Sequence, residues 1–183
     1  MSFFDFLFGR NKREERPRAP REAETLPPRP SQIPRQSAPG TQITYSADLI
    51  PQLKADHQQL LELFGAIKQA FAGRDLPAIA RFLDEFRSKI QAHLLTENIR
   101  FYIYLEHSLA QDMESSALVH SFRQEMDTIG RAVLGFLNKY GDIGTRPDMA
   151  IPFGNDLEAV GKVLVDRIRR EEETLYPLYF RGY

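Results

Sequence analysis

Cysteine is absent from this 183-residue chain. Its absence excludes a disulfide framework and any thiolate metal site, and leaves His, Asp, Glu and Tyr as the side chains able to hold a metal. No run approaches the ~20 apolar residues that a bilayer crossing needs, and no apolar stretch at the start leads into a small-residue cleavage site. The expectation is a protein that neither spans a membrane nor leaves the cell by a usual signal, with a cytoplasmic location, peripheral at the inner face of the membrane if the N-terminus binds there. A basic excess is also missing. The formal net charge is -1, which argues against a dedicated nucleic-acid binder. There is no glycine-rich phosphate loop and no serine or cysteine nucleophile paired with a base, so an enzyme is not expected. What is present is 42% hydrophobic residues, enough for a full core in one domain plus an extension.

Proline is scarce except in one place. Seven of the twelve fall between Arg16 and Gly40, among Arg, Glu, Gln and Ser with few large apolar residues. That composition reads as an extended, disordered linker over residues 14–45. Residues 1–45 carry eight Lys/Arg and five Asp/Glu, so the tail is basic and the remainder mildly acidic. Ahead of the linker, residues 1–13 place Phe3, Phe4, Phe6, Leu7 and Phe8 on about half of a helix circumference, followed by Arg10, Lys12 and Arg13. Phe beside Lys/Arg is the pattern of a short amphipathic helix at a membrane interface. It is similar to the N-terminal targeting helices of some bacterial division-site regulators. The same segment would also suit docking on a protein partner, or packing on its own bundle.

From residue 46 to 183 the apolar residues recur at helical spacing. Leu53, Leu60, Leu61, Phe64, Ile67 and Phe71 mark a first helix that Gly73 stops. Asp75 caps a second, with Pro77 in its first turn, that carries Phe82, Phe86, Ile90, Leu94, Phe101 and Leu105 and ends near His107. A third runs from about Met113 to Tyr140 and is closed by Gly141. Gly144, Pro147, Pro152 and Gly154 read as a loop, and a fourth helix starts near Asn155 and continues to the end of the chain. Four amphipathic helices joined by short loops fold most simply as an all-α, up-down-up-down four-helix bundle.

The two helix pairs resemble each other. His93-Leu-Leu-Thr-Glu97 with Tyr102 aligns with Arg167-Ile-Arg-Arg-Glu171 with Tyr176, and Asp56-His57 aligns with Glu125-Met126. His93 and Glu97 stand four residues apart, about 6 Å along one helix face, and His57 would meet them from the antiparallel neighbour. An imidazole and a carboxylate on a core face are costly unless paired, and a divalent cation is the simplest partner; a mutual hydrogen bond at the edge of the stripe is the other. His107 lies about 21 Å further along the helix than His93, and His120 points about 120° away from Met126, so both read as structural or surface residues. Tyr102 and Tyr176 read as packing residues with solvated hydroxyls.

This pattern resembles the hemerythrin, or HHE cation-binding, family, whose signature is His, then His-x-x-x-Glu, then the same again. The resemblance covers roughly residues 48–180, including the closing Arg-Glu-Glu-Glu-Thr-Leu-Tyr-Pro. It implies a non-haem di-iron site used in dioxygen carriage, sensing or iron handling. By position His57, His93, Glu97 and Glu171 match four of the family's metal ligands, whereas Met126 and Arg167 stand where its third- and fourth-helix histidines would be. In the family those two histidines serve one iron, the first- and second-helix pair serves the other, and the carboxylates bridge. The resemblance therefore implies either one iron or other divalent metal per chain, or no metal, with Arg167 supplying the missing positive charge to Glu97 or Glu171 or else pointing outward. The expected role is a sensing or regulatory module tethered by its N-terminus, with a conventional iron- and oxygen-binding protein as the alternative. A fainter resemblance, confined to the late Arg-x-x-x-Glu helix, links it to bacterial anti-sigma regulators of the housekeeping sigma factor and implies a metal-free protein-binding regulator.

Overall fold

The computed structural model describes residues 37 and 40–180; the segment 1–13, with its five apolar contact candidates, lies outside them. Helix α1 spans Leu49–Ala72. Helix α2, Leu76–Thr96, begins at Asp75, whose carboxylate accepts the Ala78 amide as an N-cap. It continues through a π-helical stretch, Glu97–Tyr102, into α3, Ile103–Ser108. Helix α4, Met113–Lys139, is capped by Asp112, which accepts from the Glu114 and Ser115 amides. Helix α5, Ala150–Arg170, runs into a second π-helical stretch, Glu171–Leu175, and a final 3-10 turn, Tyr176–Leu178. With α2 and α3 counted as one interrupted rod, these are the four helices expected from the apolar spacing.

The first helix ends where Gly73 was expected to stop it, with Gly73 (φ -78°) as its C-cap and Arg74 (φ 57°) the left-handed residue that follows. One boundary differs from expectation. The fourth helix starts at Ala150 rather than near Asn155. Pro152 fits the first turn, where its missing N–H leaves no hydrogen bond unmade. Gly154 is there for packing: a Cβ at that position would lie 2.7 Å from the ring of Phe71. Seven residues on, a Cβ at Gly161 would meet the Phe64 ring at the same distance. Two phenyl rings of α1 are thus seated on the glycines of α5, which is what brings those helices close.

The bundle core is divided. One apolar cluster, built on Leu60, Phe64, Ile67, Ile79, Leu137 and Phe153 among others, fills one half. A second, built on Leu49, Leu53, Phe101, Leu105, Val119 and Leu175, fills the other. Ile43 and Tyr45 pack against the second cluster, and the Ser46 amide donates to the Tyr179 hydroxyl at 2.9 Å, so contacts with the bundle begin a few residues ahead of α1. Between the clusters, at the level of His57 on α1, lies one layer of buried polar side chains: His57, His93, Glu97, Arg167 and Glu171. Among the described residues no helix is long and apolar enough to cross a membrane.

Candidate metal centre

Three of the four helical rods, α1, α2 and α5, supply the polar layer, α4 meeting it with Met126 and Glu125, and both π-helical stretches open on its carboxylates, Glu97 and Glu171. A π-turn adds a residue to the helical repeat and re-aims the side chains at its start. That the same irregularity occurs at both aligned glutamates shows the internal repeat in the backbone itself.

His57, His93 and Glu171 each offer a ligand atom within 4.8 Å of the others. His57 Nε2 lies 3.4 Å from Glu171 Oε2, and the two imidazoles face one another with ring centres 4.7 Å apart. Glu97 is beside them rather than among them. Its Oε2 is 3.8 Å from His93 Nε2 and has no hydrogen-bond partner, while its Oε1 accepts from the Tyr176 hydroxyl at 3.3 Å. Burial, and next the charge of Glu171, hold the Glu97 carboxyl well above the usual carboxylate range. Burial, with His57 adding to it, lowers His93 to about 4. At neutral pH His93 is therefore uncharged in the metal-free protein, and burial favours the protonated form of Glu97. A cavity of about 20 Å³ lies between His57, His93, Arg167 and Glu171 of the layer and the apolar side chains of Leu60, Ile90, Met126 and Val133, with room for about one water-sized occupant.

Arg167 fills the opposite side of the layer. It is 2% exposed and points inward, which settles its orientation. Its Nε donates to Glu171 Oε1 at 2.6 Å, Nη1 to Glu125 Oε2 at 2.9 Å and Nη2 to the Tyr102 hydroxyl at 2.6 Å, and its plane lies 4.8 Å over the Phe122 ring. The partner is Glu171, not Glu97. The hydroxyls of Tyr102 and Tyr176 are accordingly not solvated, as packing alone suggested, but turned into the layer, one onto Arg167 and the other onto Glu97 and His57. Burial raises the pKa of both phenols. His107 and His120 are exposed, as expected.

A model described as the hemerythrin HHE cation-binding domain matches residues 48–179. The chain belongs to that family. Comparison with curated proteins and with solved structures found no match. Metal binding is the family's property, and the hemerythrin-like layer fits one ion. Metal–nitrogen and metal–oxygen bonds of about 2.1 Å put neighbouring donors roughly 3 Å apart, a modest contraction from the observed cluster. The donor set of two imidazoles and a carboxylate suits iron, manganese or zinc. The unpartnered Glu97 Oε2 is a further oxygen donor beside it once that carboxyl ionises. The other half of this hemerythrin-type layer offers a thioether at Met126 and a guanidinium at Arg167, which has no lone pair to donate.

Three carboxylates around the layer were not singled out from the sequence. Glu172 Oε1 lies 2.9 Å from His57 Nδ1, Asp56 Oδ2 lies 3.6 Å from His93 Nδ1, and Glu125 bridges Arg167 and Arg170. Each is a neighbour in sequence of a position in the aligned motifs, and that adjacency was the available signal.

Proposed function

We propose that the protein is a hemerythrin-like regulatory or sensing module that binds one divalent metal per chain, with iron the expected ion. His57, His93 and Glu171 hold it, and Glu97 joins them on losing its proton. The observation that carries this reading is the inward Arg167. Its guanidinium neutralises one oxygen of Glu171 while the other oxygen faces His57. A second cation at that end would sit a few Å from a permanent positive charge. Two unit charges about 4 Å apart repel by ~4 kcal/mol even at an effective dielectric near 20.

The bound metal would supply a redox-active or Lewis-acidic centre. The chain's own residues do the rest: Tyr176 and Glu97 close one side with a hydrogen bond, Tyr102 and Arg167 close the other, and the two apolar clusters keep water out. A one-metal site of this kind suits a reporting role better than chemistry shared between two irons. The N-terminal segment, with Phe3, Phe4, Phe6, Leu7 and Phe8, would place such a module at a membrane surface or on a protein partner, and the proline-rich stretch behind it would give reach. Anaerobic titration with Fe(II) tests the reading. Uptake should saturate at one equivalent in the full chain and vanish in the His57→Ala, His93→Ala double variant. Uptake that survives in the double variant would refute the assignment.

A further inference from the structure

Each ring of the candidate centre presents Nε2 to the layer and Nδ1 to a carboxylate on another helix. His57 on α1 faces Glu172, the residue after Glu171, and His93 on α2 faces Asp56, the residue before His57. The internal repeat shows what these carboxylates follow. Asp56 aligns with Glu125, and as Asp56 faces His93, Glu125 faces Arg167, the residue aligned with His93. Glu172 aligns with Asn98, and the repeat that sets Glu172 against His57 assigns Asn98 to Met126, the residue aligned with His57. Met126 has no N–H to be held, and the acid is missing there. An acid therefore stands at each position whose partner carries an N–H, and not at the one whose partner is a thioether.

We propose that Asp56 and Glu172 are positioning residues for the metal ligands, and that Glu125 is their counterpart holding Arg167 in the second half of the layer. This rests on the one-metal reading. A carboxylate at Nδ1 keeps the proton on that nitrogen, turns the Nε2 lone pair toward the centre and raises the basicity of the ring. Glu172 is at hydrogen-bond distance. Asp56 stands just beyond it, and His93 Nδ1 has no other partner; a shift of about half an ångström closes the contact. Both acids are about 30% exposed, so removing them leaves no hole in the core. They would act on the metal through the rings without touching it.

The test uses the full chain with Co(II) as the probe, together with nitrogen NMR of the imidazoles in the metal-free protein at pH 7.5. Asp56→Ala and Glu172→Ala should each weaken Co(II) binding by about 10- to 100-fold at unchanged stoichiometry, and Glu173→Ala, which removes an exposed partner of Arg169, should not. In the NMR spectra the facing ring should carry its proton on Nδ1 in the unaltered chain, and share it with Nε2 in the Ala variants. Asp56→Asn and Glu172→Gln keep an acceptor without the charge, so they should restore the Nδ1 proton and only part of the affinity. Co(II) affinities within twofold of the unaltered chain would overturn the proposal, as would an unchanged Nδ1 proton in both Ala variants. If the unaltered chain takes up no Co(II), the one-metal reading fails, and the NMR result alone decides whether the acids orient the rings.

Discussion

Arg167 and Glu171, four residues apart across the junction of α5 with its π-helical stretch, form a buried ion pair in which Nε donates to Oε1 at 2.6 Å. Both are essentially without solvent contact, and the same guanidinium is shared with Glu125 and Tyr102. Removing one member of such a pair strands the other in a medium that solvates it poorly. Arg167→Leu should therefore cost about 3 to 5 kcal/mol in the metal-free protein, and Arg167→Lys less, because the charge stays but the fork of donors is lost. Urea unfolding monitored by circular dichroism measures both. A loss below ~1 kcal/mol for the leucine variant would mean that the pair does not hold the layer.

The second half-site should be recoverable. Met126→His together with Arg167→His replaces a poor ligand and a non-ligand by two imidazoles. The double variant is expected to bind two Fe(II) per chain where the unaltered protein binds one. Either single change should leave the count at one, since Arg167→His alone supplies one imidazole and Met126→His leaves the guanidinium in place. An unchanged count in the double variant would show that Arg167 is not what excludes the second ion.

The upward shift of Glu97 has a signature in pH. Its folded value lies well above its ordinary 4.5 through burial and the charge of Glu171, so the stability it contributes is complete below pH 4.5 and is lost as pH rises through the folded value. His93 runs the other way. Lowered from 6.5 to about 4 by burial and by His57, it contributes stability that is present above pH 6.5 and lost as pH falls toward 4. Between pH 4.5 and 6.5 the two oppose each other; above pH 6.5 the Glu97 effect stands alone of the pair. The metal-free protein should lose stability as pH rises toward the folded value of Glu97, by at most about 1.4 kcal/mol per pH unit from this group. Glu97→Gln should remove most of that slope in urea unfolding, and an equal slope in the variant would contradict the assignment.

Much of the bundle could be read from the chain because its signals are periodic. Leu53, Leu60, Phe64 and Ile67 repeat at helical spacing and are buried, and Asp75 is the cap it looked like. His57, His93 and Glu171 could be placed together because a motif used twice aligns them. Elsewhere one residue type served two purposes. Gly154 looked like loop and is a seat for a phenyl ring. The hydroxyls of Tyr102 and Tyr176 looked peripheral because the arginine and carboxylate they meet come from other helices. Asp56 and Glu125, although aligned, and Glu172 carry no role in the sequence reading for a related reason: a partly exposed acid in or beside a motif looks like any solvated surface residue until the opposite helix is in place.

The N-terminal segment offers a separate prediction. If residues 1–13 bind a membrane interface, Phe4→Asp with Leu7→Asp should move the protein from membrane to soluble fractions, because charge on the apolar face opposes interfacial burial. Metal uptake should be unaffected. Failure of a peptide of residues 1–13 to bind vesicles containing anionic lipid, with unchanged fractionation of the variant, would direct attention to a protein partner instead.

In the proposed function one half of the layer holds a metal while the other holds Arg167. Native mass spectrometry of the full chain, prepared anaerobically with excess Fe(II) and then desalted, counts the ions directly. A single species with one iron per chain is expected. A chain carrying two irons, or one that retains none, would contradict it.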